Sequence, residues 1–203
     1  MEPSLPLIYA VRHGITDWNV EWRLQGAQDI VLNEDGRRQA TNYGRVLGPL
    51  IGNRANEFDF VSSPLLRTRE TMERLRTAMN LVPGDYRKDE RLTELSFGDW
   101  EGRTLREIAQ TTPEKVKERA RNKWDFQPPG KDAESYEILK WRVAAWLNDV
   151  KEPTVCVCHG GVIRVLFNLI GNMSQHDAAL LSVPQDKILK VENGALEWLD
   201  AKV

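Results

Sequence analysis

Two of the three histidines in this 203-residue chain end short apolar runs, and each is followed at once by glycine, with an arginine near by. The first stands in Val11-Arg12-His13-Gly14-Ile15-Thr16-Asp17-Trp18-Asn19, the second in Cys158-His159-Gly160-Gly161-Val162-Ile163-Arg164. A neutral imidazole is a competent nucleophile toward phosphorus. Arg12 beside it suggests an anion, because guanidinium is permanently charged and forks onto oxyanions. Gly14 leaves room for backbone N–H groups to approach that anion. Thr16 and Asn19 sit around the same histidine, and Asn19 has an amide to donate. His159 is open to two readings: a neutral ring bonded to backbone, or a cation that stabilises a transferring phosphoryl group.

Arg67 follows Ser62-Ser63-Pro64-Leu65-Leu66 and falls in the first turn of a helix just after a strand. A helix start adds partial positive charge and free N–H groups. Arg69, Arg74 and Arg76 on the same helix read as solvated surface residues. A carboxylate that can act as an acid near neutral pH is expected where aromatic rings and glycines crowd it. The stretch Glu94-Leu95-Ser96-Phe97-Gly98-Asp99-Trp100-Glu101-Gly102 has that character. Residue chemistry alone does not choose among Glu94, Asp99 and Glu101.

These groups need elements that bring them together. Residues 7–11, 58–62 and 154–158 read as buried strands, and residues 86–92 as a poor, charged one. Helices are expected from the Asn33 cap to about residue 50, over 65–79, 104–110 and 113–122, over 134–150 on a Leu139, Val143, Trp146, Val150 stripe, and over 161–170. Asn193-Gly194 joins strands 188–192 and 195–199 as a hairpin. Alternating strands and helices with a terminal hairpin give a three-layer α/β/α sandwich with a mostly parallel central sheet and an antiparallel end. Such sheets place ligands beyond their strand carboxyl ends. One domain over residues 1–203 is expected, with a small helical cap at about 102–131, where the chain is more charged and less periodic.

Composition narrows the partners. With 41% apolar residues, 29% charged residues and a net charge of −2, the chain has the make-up of a globular protein and no basic block for nucleic acid. No apolar run is long enough to span a membrane, and the N-terminus has no secretory pattern. The seven tryptophans are scattered and read mostly as packing residues. Cys156 and Cys158 share a strand too extended for a good disulfide, which suits free thiols in the cytoplasm. His176 is the single spare histidine, too few ligands for a metal hydrolase, so no metal or cofactor is expected.

Together, Arg-His-Gly at a first strand end, Ser-Pro-Leu-Leu-Arg, Glu-Leu-Ser-Phe-Gly-Asp-Trp-Glu-Gly and a late His-Gly-Gly resemble the histidine phosphatase superfamily, in its phosphoglycerate-mutase-like branch. Arg23-Leu24-Gln25-Gly26, the 32–40 segment and Pro128-Pro129-Gly130 with Glu134-Ser135 extend the resemblance over nearly the whole chain. It implies that His13 becomes phosphohistidine, and that Arg12, Arg67 and His159 form the phosphate pocket with Asn19 beside it. It makes Glu94 the proton donor to the leaving oxygen and later the base for water. Thr16, Gln25, Gly26 and Gly160 are then substrate contacts. The chain departs from relatives at Ile15, where many carry Glu or Gln, and at residues 130–134, where Gly-Lys-Asp-Ala-Glu replaces Gly-Gly-Glu.

Mutase relatives carry Arg after the Glu, then Asn-Lys and a longer basic insertion. Here Leu95 replaces the Arg, no Asn-Lys follows, and a second phosphate has few expected partners. The expected activity is therefore hydrolysis of a small phosphomonoester through a phosphohistidine, without metal. A phosphoglycerate mutase and a non-catalytic phosphate-binding relative are the alternatives. Arg106, Lys115 and Arg119 face either the site or water.

Overall fold

Alternation of apolar side chains explains the centre of the sheet. In the computed structural model, which describes residues 5–202, β1 (Ile8–Arg12) sends Ile8 and Ala10 to one face and Tyr9 and Val11 to the other. A short α1 (Asp17–Val20) and a long α2 (Glu34–Ile51) follow, each with its first turn capped by a side chain, Thr16 and Asn33. Next come β2 (Asp59–Ser62), α3 (Leu66–Ala78) and β3 (Arg87–Lys88). The chain then forms α4 (Leu105–Thr111), α5 (Pro113–Arg121) and α6 (Tyr136–Asp149). It ends with β4 (Thr154–Cys158), α7 (Gly160–Leu169), α8 (Gln175–Leu180), β5 (Lys187–Glu192) and β6 (Ala195–Asp200).

The six strands lie in the order β3-β2-β4-β1-β5-β6. The first four in that order are parallel, and β5 and β6 are antiparallel. One face packs Tyr43, Leu47, Met72 and Leu75 of α2 and α3 on Tyr9, Val11, Val155 and Val157. The other packs Leu139, Val143 and Trp146 of α6 and Val162, Val165 and Leu166 of α7 on Ile8, Ala10, Cys156 and Cys158. Both thiols are buried and unpaired. This is the three-layer α/β/α sandwich that alternating elements predict. Residues 102–131 gather α4 and α5 around their own small cluster of Trp100, Ile108 and Phe126. Among the described residues no helix is long and apolar enough to cross a membrane.

Several expectations need correction. The strand expected over 86–92 is two residues long, because Asp89 turns its carboxylate onto the Arg91 N–H and starts a 3-10 turn at Glu90–Leu92. The segment α8 was not anticipated. Arg76 is not a solvated residue: it is buried, with its guanidinium 4.4 Å over the Phe60 ring and its Nε donating to Val82 O. The tryptophans are less uniform than expected, since Trp100, Trp124 and Trp146 are buried while Trp22 and Trp141 are 84% and 65% exposed.

One backbone contact sets where the His13 loop runs. Gly14 and Gly36 press together so closely that a Cβ on Gly36 would lie 2.1 Å from Ile15 O, and one on Gly14 would lie 2.3 Å from Gly36 O. Neither neighbour is a flexible side chain. Gly36 also takes the Asn33 cap through its N–H. Gly36→Ala should therefore lower unfolding free energy by about 2–3 kcal/mol, the upper part of the overpacking range. Urea denaturation checks this, and a loss below about 0.5 kcal/mol would mean that the loop can yield.

Candidate active site

Three parallel strands deliver their last residues to one edge. The ladder runs past the strand ends, with His13 N–H donating to Cys158 O and Ser63 N–H to Val157 O, both at 3.0 Å. His13 follows β1, Ser63 follows β2 and His159 follows β4. The two imidazoles come within 5.2 Å, centroid to centroid, at 60° between planes. Arg12 ends β1, Arg67 starts α3, and Gly160 and Gly161 start α7.

A backbone carbonyl fixes the proton on the first of these rings. His13 Nδ1 lies 2.8 Å from Gly14 O, a group that only accepts, so Nδ1 carries the hydrogen and Nε2 keeps its lone pair. His159 Nε2 lies 2.8 Å from Ser63 Oγ, which also receives the Leu65 N–H at 3.5 Å. The Ser63 hydroxyl has one proton to donate and two lone pairs to accept with, so it holds the ring in place for either tautomer. Burial, then Arg67 and Arg12, hold His13 well below the ordinary imidazole range. Burial and Arg67 do the same to His159, helped by His13. Burial and the neighbouring guanidinium groups thus bias both rings toward the neutral form.

The guanidinium groups are held by backbone carbonyls. Arg12 Nη1 donates to Val183 O at 2.6 Å. Arg67, fully buried, donates through Nη1 to Gln28 O and through Nη2 to Gly26 O, at 2.6 and 2.7 Å. Burial lowers the Arg67 pKa to about 10, so it remains a cation. Its two Nη donors are therefore engaged with the loop that carries Gln25 and Gly26. Among the described residues, seven buried side-chain nitrogen or oxygen atoms lack a partner. Four of them belong to this site: Arg12 Nε, Arg67 Nε, His159 Nδ1 and Gln25 Oε1.

Glu94 accepts the Gly161 N–H through both carboxylate oxygens at 3.1 Å, and the Leu95 N–H at 3.0 Å. A Cβ on Gly161 would lie 2.2 Å from Glu94 Oε1, so this position must be glycine for the carboxylate to sit there. Arg142 clamps the loop from behind, donating to the carbonyls of Arg91, Thr93 and Glu94 and to the Glu134 carboxylate. Glu101 is used differently: it accepts from Ala27 N, Phe97 N and Gln28 Nε2 and ties two loops together. Asp99 is exposed. The altered 130–134 stretch keeps Gly130, whose Cα packs on Gly98, and Asp99 N–H donates to Pro129 O.

A cavity of about 440 Å³ opens over these groups. Arg12, His13, Asn19, Gln25, Gly26, Arg67 and Glu94 line it; His159 lies buried behind His13. Thr16, expected as a substrate contact, does not line it. Its side chain is fully buried and spent on the α1 cap with Asn19. Gly160 also lies off the lining, between Arg12 and Arg164. The sequence reading missed Ser63 behind His159, and Gln185, whose side-chain amide donates to His13 O at 2.9 Å. Ser63 stands next to Pro64 in the motif that marks Arg67; Gln185 sits in a segment with no local signal.

The fold is a three-layer α/β sandwich whose strand ends gather two histidines, two arginines and a carboxylate at one edge. The sequence pattern of the histidine phosphatase superfamily (branch 1) matches residues 8–198. The chain belongs to that superfamily. It is 34% identical over 192 residues to a Mycobacterium tuberculosis glucosyl-3-phosphoglycerate phosphatase, covering 86% of this chain and 74% of that one. It is 33% identical over 166 residues to Arabidopsis thaliana phosphoglycerate mutase-like protein 4, covering 79% and 69%. The solved structure of Bacillus stearothermophilus YhfR superposes with a TM-score of 0.73 at 28% identity, covering 96% of each chain.

The depressed imidazoles predict a pH dependence. In the unfolded chain histidine protonates near pH 6.5, whereas His13 and His159 stay neutral well below that when folded. The unfolded state then binds more protons, and stability falls as pH drops below about 6.5, by up to about 1.4 kcal/mol per unit for each ring. Urea unfolding between about pH 7 and 5.5 reads the slope, and His13→Asn should reduce it by roughly the share of one ring. An unchanged slope in that variant would mean that His13 protonates normally.

Proposed function

We propose that this chain hydrolyses a small phosphomonoester through a phosphohistidine on His13, without a metal ion. The observation that carries this reading is the pair of unpartnered buried N–H donors, Arg12 Nε and Arg67 Nε, with the unpartnered His159 Nδ1 beside them, around the His13 ring with its free Nε2. Donors aimed at the oxygens of a transferring phosphoryl group act by position and charge. In the first step His13 Nε2 attacks phosphorus, the ester P–O bond breaks, and protonated Glu94 gives its proton to the leaving oxygen. In the second, Glu94 takes a proton from water as the water oxygen attacks. The P–N bond breaks, phosphate leaves, and His13 recovers its lone pair. Asn19, Gln25 and Gly26 line the approach, and residues 102–131 act as a cap.

Hydrolysis is preferred over mutase chemistry because Leu95 stands where mutase relatives carry Arg. The resemblance to a glucosyl-3-phosphoglycerate phosphatase supports the same side. The unpaired thiols Cys156 and Cys158 favour the cytoplasm as its compartment. Turnover in excess chelator tests metal independence. Efficient interconversion of 2- and 3-phosphoglycerate with little phosphate release, compared as kcat/KM in one preparation, would overturn the hydrolase reading.

Two substitutions test the roles. His13→Ala should lower kcat on para-nitrophenyl phosphate by about 10⁴-fold or more with unchanged circular dichroism. Substantial residual turnover would assign the nucleophile elsewhere. Glu94→Gln should cost ~10²–10⁴-fold with alkyl phosphates, whose leaving oxygen needs a proton, and far less with the nitrophenyl ester. Gly161→Ala, which pushes Glu94 from its seat, should reproduce that leaving-group pattern. An equal loss on both substrate types would mean that Glu94 only positions the substrate.

A further inference from the structure

The cation count of the cavity exceeds what one phosphoryl group needs. Arg12, Arg67, Arg119, Lys123 and Arg164 line it with no salt bridge to any carboxylate among the described residues, and Glu94 is the single carboxylate in the lining. Arg23, the remaining cation there, is paired with Glu21 and Glu107. Arg12 and Arg67 stand beside His13. The other three come from other elements of the lining: Arg119 from α5, Lys123 from the turn after it, Arg164 from α7.

These three are held without being neutralised. Arg164 Nε donates to Leu181 O at 2.8 Å and its Nη1 to the Tyr136 hydroxyl at 3.3 Å. Lys123 Nζ donates to Ala179 O at 2.6 Å. Arg119 makes no side-chain hydrogen bond among the described residues. Burial, then Arg164 and Arg119, push the Lys123 ammonium down to about 7, and burial lowers Arg119. Arg119 and Arg164 thus raise the local potential, and an anion bound among them would hold Lys123 protonated as well. The cluster reaches the phosphoryl side: a Cβ on Gly160 would lie 3.4 Å from Arg164 Nη1 and 3.5 Å from Arg12 Nε. The few partners expected for a second anion from the 95–104 loop are thus replaced by groups from the cap and α7. Of the three cap cations whose direction was open, Arg119 faces the cavity, while Arg106 and Lys115 are exposed.

We propose that the substrate carries a second anionic group, a carboxylate or a second phosphate, and that Arg119, Lys123 and Arg164 bind it while His13 takes the phosphoryl group. This rests on the hydrolase reading for the phosphoryl end and adds the chemistry of the other end. A charge-assisted contact made or lost at a partly buried site changes affinity by tenfold or more.

Titration calorimetry on the His13→Ala protein tests it without turnover. Glycerol 3-phosphate, 3-phosphoglycerate and propane-1,3-diol bisphosphate share a small skeleton and differ in the second group: neutral, carboxylate or phosphate. At least one of the two doubly anionic ligands should bind about tenfold or more tightly than glycerol 3-phosphate, and whichever does names the second group. The double variant Arg119→Met, Lys123→Met should shrink that ratio toward one. Its folding is checked by circular dichroism, and the single variants replace it if it fails. Affinities within twofold for all three ligands, or a ratio that survives the substitutions, would overturn the proposal. The two readings fail separately: a hydrolysis-dead unmodified chain with an intact binding ratio removes the phosphatase and keeps the second-anion site, whereas active hydrolysis with no ratio does the reverse.

Discussion

Desolvated positive charge at the carboxyl edge of the sheet is the constraint around which the rest is arranged. Arg67, His13 and His159 are buried close together, with the half-buried Arg12 beside them. Burying a guanidinium beside another is unfavourable unless its N–H groups are satisfied. No carboxylate makes a salt bridge to either guanidinium among the described residues, and Glu94 favours both charges from a greater distance. The imidazoles respond by staying neutral, which leaves His13 with the lone pair that an attack on phosphorus needs. One electrostatic condition therefore bears on both halves of the proposed chemistry, the affinity for an oxyanion and the state of the nucleophile.

Backbone carbonyls make this possible. Arg12 is held by Val183 O, Arg67 by Gly26 O and Gln28 O, Arg164 by Leu181 O and Lys123 by Ala179 O. A carbonyl dipole orients a cation and satisfies its N–H without cancelling its charge. Outside the cavity the same residue types are treated in the opposite way, with Arg37 on Glu70, Arg87 on Asp59 and Arg91 on Asp149. The division is not complete: Arg76 and Arg142 outside the cavity also bond carbonyls, and Arg23 inside it pairs with carboxylates. Irregular segments crowd this edge because backbone outside helices and sheets, like the last turn of α8, has carbonyls free to point inward.

Much of this was legible in the sequence. Period-two alternation in residues 8–12 and 154–158, the Asn33 cap and the Asn193-Gly194 turn are local signals, and each specifies its element without help from distant residues. The histidines and Arg67 were legible because each follows a strand, which fixes its edge. Thr16 misled because a hydroxyl near a nucleophile resembles a ligand, whereas its capping bond to Asn19 consumes it. Arg76 misled because a guanidinium can stack on a ring, here Phe60, and be buried. Gln185 and Lys123 were out of reach, since their place depends on how the segments beyond α5 and α8 fold back over the site. That is a tertiary fact with no periodicity to announce it.

The three carboxylates of the 94–101 loop show what separates chemistry from scaffold when residue type is the same. Glu101 accepts from three separate N–H groups and a hydroxyl, so its oxygens are used up in joining the loop to residues 27–28 and 96–97. Asp99 faces solvent. Glu94 accepts N–H groups on one side only, from Leu95 and from the first turn of α7, and presents its remaining surface to the cavity that His13 lines. The α7 start that seats Glu94 follows directly from His159, and Gly161 is the residue without which Glu94 could not approach it. The last turn of β4 into α7 thus positions one acid, one donor and, through Arg164, one cation on a single rigid element. A site assembled on a strand–helix junction of this kind gains its geometry from the sheet itself, and loops such as 182–185 and 25–28 need only supply carbonyls and close it.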